Sequence, residues 1–417
     1  MKVLHINTWD IEGGAARGAY WMHSGLRKAG IDSYMLSLYK YSSDPTVIGI
    51  DRPRLRDRLL REIRIYIEEL ALKKYPNRKP DIFSPARISE NITELVNKIN
   101  PDIINLHWVG YGFLNPEAIA KLNKPIVWTL RDMWSFTGGC HYAGECTRYQ
   151  QTCGSCPHLA SQQDRDITRK LWQRKAKAWK NIDMTVVALS PWLANCARQS
   201  SLFQNRRIEV IQNSIDLSLF KPKPKSSVRE LLDLPKDRNI ILFGAIDATS
   251  DRRKGFQYLV SALQKLASSK LGQNSELVVF GASESQSDVN FDMKANYLGY
   301  IRDDRLLALI YAAADVTVVP SLQEAFGKTA LESLACGTPV VSFDSTGLKE
   351  IVEHQCNGYR ASCLSSDDLA NGIAWVLKDN QRWQYLSQNA QKTVEQKFTM
   401  TMQSRSYIEL YKDILAQ

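Results

Sequence analysis

DVTVVPSLQEAFGKTALESLACGTPVVSF, residues 315–343, decides the fold class. Its apolar ends, DVTVVPS and TPVVSF, read as strands, and KTALESLAC between them reads as a helix. The strand interiors are nearly all apolar, as expected of a parallel sheet covered on both faces. Such a sheet binds ligands in loops beyond the carboxyl ends of its strands. The loop after the first strand carries Glu324 and Gly327, and the helix that follows carries Glu332.

The alternation extends in both directions. NIILFGA (239–245), the helix GFQYLVSALQKLA (255–267), ELVVFG (276–281), NYLGY (296–300) and the helix DRLLALIYAAA (304–314) precede the quoted stretch. An earlier series starts with KVLHIN (2–7) and a helix in which Ala16, Tyr20, His23 and Leu26 recur at three- and four-residue spacing before Gly30. DSYMLSL, IINLHW (103–108), PIVWTL (125–130) and MTVVALS (184–190) follow as strands, and the pattern restarts at RIEVIQ (207–212). A chain of 417 residues exceeds one ordinary core. The pattern divides the chain near residues 200–210 into two α/β units, 1–205 and 206–395, with a last helical stretch over 396–417. Two such sheets facing each other would form a cleft between them.

The apolar fraction of 44% is that of a globular protein. A net charge of +10 suits an anionic partner: nucleic acid, a phospholipid surface or a phosphorylated substrate. The start MKVLHINTW is broken early by His5, Asn7 and Asp10, unlike a secretory signal, and no apolar run is long enough to span a bilayer. The chain is therefore expected in the cytoplasm with its eight cysteines reduced.

Three stretches carry chemistry. Glu324 stands at the positive end of a helix, where free N–H groups and the helix dipole suit a phosphate, with Glu332 about one and a half turns further on. One carboxylate can take sugar hydroxyls and the other ribose hydroxyls. Alone, each glutamate also reads as an ordinary surface residue near a helix start. In DATSDRRKGFQYL (247–259), Lys254-Gly255 opens a helix and Arg252 and Arg253 precede it. Cations there can neutralise a leaving diphosphate, although RRKG by itself also reads as a solvated turn. Gly13-Gly14-Ala15-Ala16-Arg17 joins the first strand to its helix, and its small residues permit close backbone approach to a ligand.

Together these stretches resemble glycosyltransferase family four. The family's E-x-F-G-x-x-x-x-E signature reads here Glu324, Phe326, Gly327, Glu332, followed by Ala335-Cys336-Gly337-Thr338-Pro339-Val340. The resemblance covers nearly the whole chain and implies an α/β fold of the GT-B type, two facing Rossmann-like domains with a C-terminal helix crossing back to the first. It implies that Glu324 holds a donor hexose, that Glu332 holds the nucleotide ribose, and that amides around Phe326, Gly327, Lys328 and Thr329 approach the diphosphate. Lys254 and an arginine just upstream would contact the diphosphate, the Gly13-Gly14 loop would reach the donor phosphates, and Tyr300-Ile301 would lie beside the base. Ala245 stands where the family has Arg, so Arg252 or Arg253 is expected to substitute. IQNSIDLSLFKP (211–222) resembles the family's interdomain segment, with Ser214 in place of Gly. UDP is preferred over GDP or ADP on family grounds, and family catalysis requires no cofactor.

WTLRDMWSFTGGCHYAGECTRYQQTCGSCPHL (128–159) belongs to the acceptor side. Its start resembles the family's T-x-H-D loop, with Arg131 replacing His and Asp132 retained, either to orient a hydroxyl or to cap a turn. His107 reads as a cleft residue or a core histidine. Cys140, Cys146, Cys153 and Cys156 include a C-x-x-C pair and read either as a structural zinc site or as free thiols. In RPRLRDRLLREIRIYIEELALKKYPNRK (52–79), Leu55, Leu59, Ile63, Ile67 and Leu70 recur at helical spacing among cations. That helix either lies on an anionic bilayer or receives a lipid diphosphate, or else faces a core. No aromatic-basic array accompanies it, so nucleic acid is not expected as a partner.

On this resemblance the chain is expected to be a retaining hexosyltransferase, with Glu324, Lys254 and Asp132 as catalytic residues. It would move glucose from UDP-glucose to a glycan or lipid-linked saccharide in exopolysaccharide biosynthesis, in the cytoplasm or on the inner face of the membrane. A nucleotide-sugar epimerase of the same fold and an inactive sugar-nucleotide-binding subunit are the alternatives. The joint presence of Glu324, Glu332 and Lys254 favours transfer.

Overall fold

A computed structural model describes the chain except residues 51–54, 245–250 and 283–288 and the side chains of 55–61. Ala245, Leu55 and Leu59 thus lie outside what is described at side-chain level. The chain divides into two compact units, one of Met1–Gln212 with Gln403–Gln417 and one of Asn213–Met402.

The first unit holds seven strands: β1 (Lys2–Trp9), β2 (Asp32–Tyr39), β3 (Val47–Gly49), β4 (Ile103–Leu106), β5 (Ile126–Thr129), β6 (Met184–Ala188) and β7 (Arg207–Val210). They pair in parallel in the order β3-β2-β1-β4-β5-β6-β7, with Val3 facing Ser33 on one side and Ile103 on the other. Every residue of β4, β5 and β6 is buried, which is why these strands read as unbroken apolar runs. The second unit holds β8 (Asn239–Gly244), β9 (Ser275–Phe280), β10 (Ala295–Tyr297), β11 (Val316–Val319), β12 (Val340–Phe343) and β13 (Gly358–Ala361). These are also parallel, in the order β10-β9-β8-β11-β12-β13. In each sheet the winding reverses once, between β1 and β4 and between β8 and β11. In open α/β sheets such a point of reversal, at the carboxyl ends of the strands, is where ligands bind.

One placement differs from expectation. Arg207–Val210, read as the start of the second series, is β7, the edge strand of the first sheet beside β6. Its composition marks it as a strand but carries no record of which sheet it joins, so the division falls after Gln212 rather than at 205.

The helix Met400–Leu415 buries Tyr407, Leu410, Tyr411 and Ile414 among Val3, Met22, Leu26, Ile103, Val127 and Val187. Each such side chain contributes roughly 1.5–3 kcal/mol of burial. Two polar contacts set its register: the Tyr411 hydroxyl lies 2.6 Å from the Asn105 side-chain amide, and the Tyr407 hydroxyl 3.0 Å from Thr129 Oγ1. No described helix is long and apolar enough to cross a membrane.

Candidate functional site

In the second unit that point of reversal lies between β8 and β11. The loop after β8 returns as a tight turn, Arg252–Lys254, which Asp251 caps by accepting from the Arg253 N–H at 3.0 Å. Gly255 follows with φ +71°, and a Cβ there would lie 1.9 Å from the Pro320 carbonyl oxygen. Only glycine lets the turn dock against the loop after β11, where the Leu322 N–H donates to the Arg253 carbonyl at 2.8 Å.

The docking places Lys254 Nζ 2.6 Å from Glu324 Oε1. Arg253 Nη1 lies 3.3 Å from the same oxygen and donates to the Gln323 carbonyl at 2.8 Å, while its Nη2 pairs with Asp251 at 2.8 Å. Arg252 is exposed and Arg253 turns inward, so Arg253 is the arginine brought to Glu324. The backbone of Glu324 is gripped at both ends: its N–H donates to Thr346 Oγ1 at 2.8 Å, and its carbonyl accepts from the Gly347 N–H at 3.0 Å. Burial alone would raise the Glu324 carboxyl. Lys254 and Arg253 outweigh it and bring the pKa down to about 2. Desolvation lowers Lys254 in turn, against the pull of Glu324.

The helix Lys328–Ala335 begins at Gly327, which has φ +113° and no side chain to cap the first turn. Glu332, 4% exposed, accepts from the Tyr311 hydroxyl at 2.9 Å on Oε2, and Lys328 lies 3.1 Å from its Oε1. A ribose there must share or displace the Lys328 contact. Thr329 is half-buried at the same helix start. Phe326 is a core residue, edge-on to Phe398 at 5.7 Å, so only its backbone is offered to a ligand. Ile301 is half-buried in the coil between β10 and the helix Asp304–Ala313.

In the first unit Gly13, at φ +87°, starts the helix Gly14–Lys28 without a side-chain cap, and a Cβ on Gly14 would meet nothing within 4 Å. After β5, Asp132 does two things. Its Oδ1 accepts from the Trp134 N–H at 2.8 Å, capping the turn, and its Oδ2 lies 2.6 Å from His141 Nδ1. His141 Nε2 in turn lies 2.8 Å from Ser84 Oγ. Arg131 Nη2 reaches His107 Nδ1 at 3.1 Å, and His107 Nε2 reaches His5 Nδ1 at 3.0 Å. The guanidinium donates, so His107 Nδ1 must accept and its Nε2–H must donate to His5. Burial, reinforced by Arg131, holds both imidazoles well below the usual histidine range. Burial also brings Arg131 down to about 10, still a cation at neutral pH.

Sequence reasoning missed several of these residues. His141 lies nine residues from Asp132 inside the cysteine-rich loop, where nothing distinguished it. Lys175, fully buried, donates to the carbonyls of Trp134 and Thr137 (3.0 Å to the latter) and fixes the same turn. A lysine on an otherwise basic helix carried no signal. Thr346 and Gly347 act on Glu324 through the backbone, which sequence patterns do not report.

Cys140, Cys146, Cys153 and Cys156 are free thiols, and among the described residues no group of three or more His, Cys, Asp or Glu side chains is placed to hold a metal. The Cys140 backbone forms an isolated antiparallel β-bridge with Phe83, and Cys156 packs with Leu72 and Leu159. The helix Leu55–Leu72 does not bury the face that carries Ile63 and Leu70: both are 43% exposed and Tyr66 is 54% exposed. It is held instead by Glu68, which accepts from the backbone N–H groups of Arg87 at 2.7 Å and Ile88 at 3.0 Å.

Two parallel Rossmann-like sheets define the GT-B class of α/β fold. Anabaena Alr3699/HepE, solved in complex with UDP-glucose, has the same fold, with a TM-score of 0.65 and 16% identity over 99% of this chain and 100% of that one. The profile described as Glycosyltransferase Family 4 matches residues 12–219, and that described as Glycosyl transferases group 1 matches 225–393. The chain belongs to glycosyltransferase family four. The uncharacterized glycosyltransferase MJ1607 of Methanocaldococcus jannaschii is 32% identical over 219 residues, 49% of this chain and 54% of that protein. The chain thus spans about half the length of that relative. Escherichia coli WcaC, named for glycosyl transfer in colanic acid biosynthesis, is 25% identical over 85% of each chain.

Proposed function

We propose that the chain moves a hexose, glucose foremost, from UDP-hexose to a glycan or lipid-linked saccharide, with retention of anomeric configuration. The carrying observation is the half-buried carboxylate of Glu324, held by Lys254 and Arg253 beside a helix start without a side-chain cap. Fixed cations and amide dipoles stabilise the charge that grows on a leaving diphosphate. Glu324 and Glu332 take hydroxyls of the hexose and the ribose. The acceptor oxygen bonds to C1 as the C1–O bond to the diphosphate breaks on the same face. The bonding electrons pass to UDP, and the acceptor proton goes to the departing phosphate oxygen. UDP-glucose in the HepE complex supports the donor, and WcaC's name supports an exopolysaccharide product.

The test is nucleotide release from UDP-, GDP- and ADP-glucose. UDP release is expected, lowered about 100-fold or more in Glu324→Gln. Release from none of the three, or release unchanged by Glu324→Gln, contradicts the assignment.

The reading includes an anionic membrane surface. Ile63, Tyr66 and Leu70 form an outward apolar line, with Lys73, Lys74, Arg78 and Lys79 exposed nearby. Sedimentation with phosphatidylglycerol vesicles is expected and should be lost in Tyr66→Ser/Leu70→Ser. No sedimentation of the wild type contradicts it.

A further inference from the structure

We propose that a cavity at the amino edge of the second sheet binds a phosphorylated sugar, with Lys223, Lys225 and Lys378 on its phosphate and Asn239, Asn380 and Ser387 on its hydroxyls. The site lies wholly within the second unit and does not depend on the transfer reading above.

The cavity encloses about 500 Å³, within the ~300–1,000 Å³ usual for small-molecule sites. Asn239 starts β8, Asp315 precedes β11 and Thr338 precedes β12, so the cavity sits where those strands begin. Lys254 and Glu324 lie beyond the other ends of β8 and β11. The four residues of β11 alone put roughly 13 Å between the two edges, at ~3.3 Å per residue. The helix Asn380–Lys397 contributes Asn380, Trp383 and Ser387 to the wall.

Cations outnumber acids around this space. Among the described residues its lining holds one acid, Asp315, and that carboxylate is already engaged. Lys225 Nζ lies 2.6 Å from Oδ1, while Arg229 Nη2 at 2.5 Å and the Ile240 N–H at 2.7 Å share Oδ2. With Arg229 also balancing Asp315, Lys225 has charge to offer a second anion. Burial lowers its pKa against the pull of Asp315, a cost that such an anion would offset. Its Nζ sits 3.8 Å from the Trp383 ring centroid, and Trp383 Nε1 donates to the Asp315 carbonyl at 2.7 Å, which fixes the ring and the ammonium together. Lys223 is half-buried and Lys378 exposed, and neither has an acidic partner among the described residues. Asp379, beside Lys378, instead caps the helix Asn380–Lys397 by accepting from the Arg382 N–H at 3.0 Å.

The occupant follows from this set. Lysines are compact point charges that can gather around a phosphate from several directions. A phosphate alone leaves most of the cavity unfilled, and the rest of the lining is neutral. The side chains of Asn239, Asn380 and Ser387 have no hydrogen-bond partner among the described residues, and they adjoin the apolar Ala312 and Leu377. Uncommitted amides and a hydroxyl beside apolar surface match the hydroxyls and C–H groups of a sugar ring.

Trp383, labelled as 5-fluorotryptophan and assigned through Trp383→Phe, reports this site by fluorine NMR. The probes are glucose 6-phosphate, glucose and inorganic phosphate. Glucose 6-phosphate should shift the Trp383 resonance saturably and bind about tenfold tighter than either fragment. Lys223→Ala/Lys378→Ala removes two cations that hold no acid and should weaken that Kd about tenfold. Lys254→Met, in the donor site, should leave it unaltered. No saturable shift at Trp383, a Kd matched by glucose or phosphate alone, or a Kd unchanged in Lys223→Ala/Lys378→Ala overturns the proposal. So does a Kd weakened in Lys254→Met as much as in the double variant. No nucleotide enters these titrations, so absence of binding here leaves the transfer reading intact, and absence of UDP release leaves this site intact.

Discussion

Replacing Lys254 with Met keeps most of the side-chain stem and removes the ammonium 2.6 Å from Glu324 Oε1. Glu324 then retains Arg253 at 3.3 Å, in a place where burial pushes its pKa upward. The wild-type carboxyl is brought from the usual 4.5 to about 2, worth about 3 kcal/mol at 1.36 kcal/mol per unit. Desolvation of Lys254 offsets part of this. The expected net loss is about 2 kcal/mol, below the ~3–5 kcal/mol of a fully broken buried pair because Arg253 remains. For a unit of this size that lowers Tm by roughly 4–8 °C. A depressed carboxylate stabilises above its unfolded pKa and loses that contribution as pH falls through its folded value. The gap between wild type and variant should therefore be constant above pH 5 and narrow from about 4.5 towards 2. Lys254→Met/Glu324→Gln removes the stranded charge as well and should recover most of the lost stability. Thermal melts from pH 3 to 8 read all three proteins. A Lys254→Met variant as stable as wild type at pH 7, or a double variant destabilised by the sum of the singles, refutes the reasoning.

Two further outcomes follow. Gly255→Ala forces a Cβ to within 1.9 Å of the Pro320 carbonyl, whereas Gly14→Ala meets nothing within 4 Å. The first should lower both Tm and UDP-glucose affinity. The second should leave Tm unchanged, and an equal loss of Tm in both by thermal melt would contradict this packing argument. Acid should weaken the fold early. Burial brings His23 from the usual 6.5 to about 4, so the unfolded chain takes up its proton first and stability falls across that interval as pH drops. That amounts to about 2 kcal/mol between pH 6.5 and 5, with His5 and His107 acting in the same direction. Urea midpoints that do not move between pH 7 and 5 would contradict it.

The architecture was legible because parallel sheets covered on both faces demand unbroken apolar strands, and β4, β5, β6, β11 and β12 supply them. The pairing of Lys254 with Glu324 was foreshadowed by two cation- and acid-bearing loops, each following a strand. Partners across the sequence were not legible. His141 meets Asp132 only because the loop doubles back, and Thr346 meets Glu324 through a backbone N–H. The outward set of Ile63 and Leu70 was ambiguous, since helical spacing shows that a face exists without saying what covers it. The four cysteines have near-metal spacing, and spacing alone does not separate a zinc site from the free thiols of this structure.

The most direct measurement is a crystal structure of the protein soaked with UDP-glucose. The diphosphate should lie between Lys254, Arg253 and the start of the helix Lys328–Ala335, with Glu324 on hexose hydroxyls and Glu332 on the ribose. A sugar nucleotide bound away from these groups, with both carboxylates still engaged only by their own side-chain partners, would contradict the account.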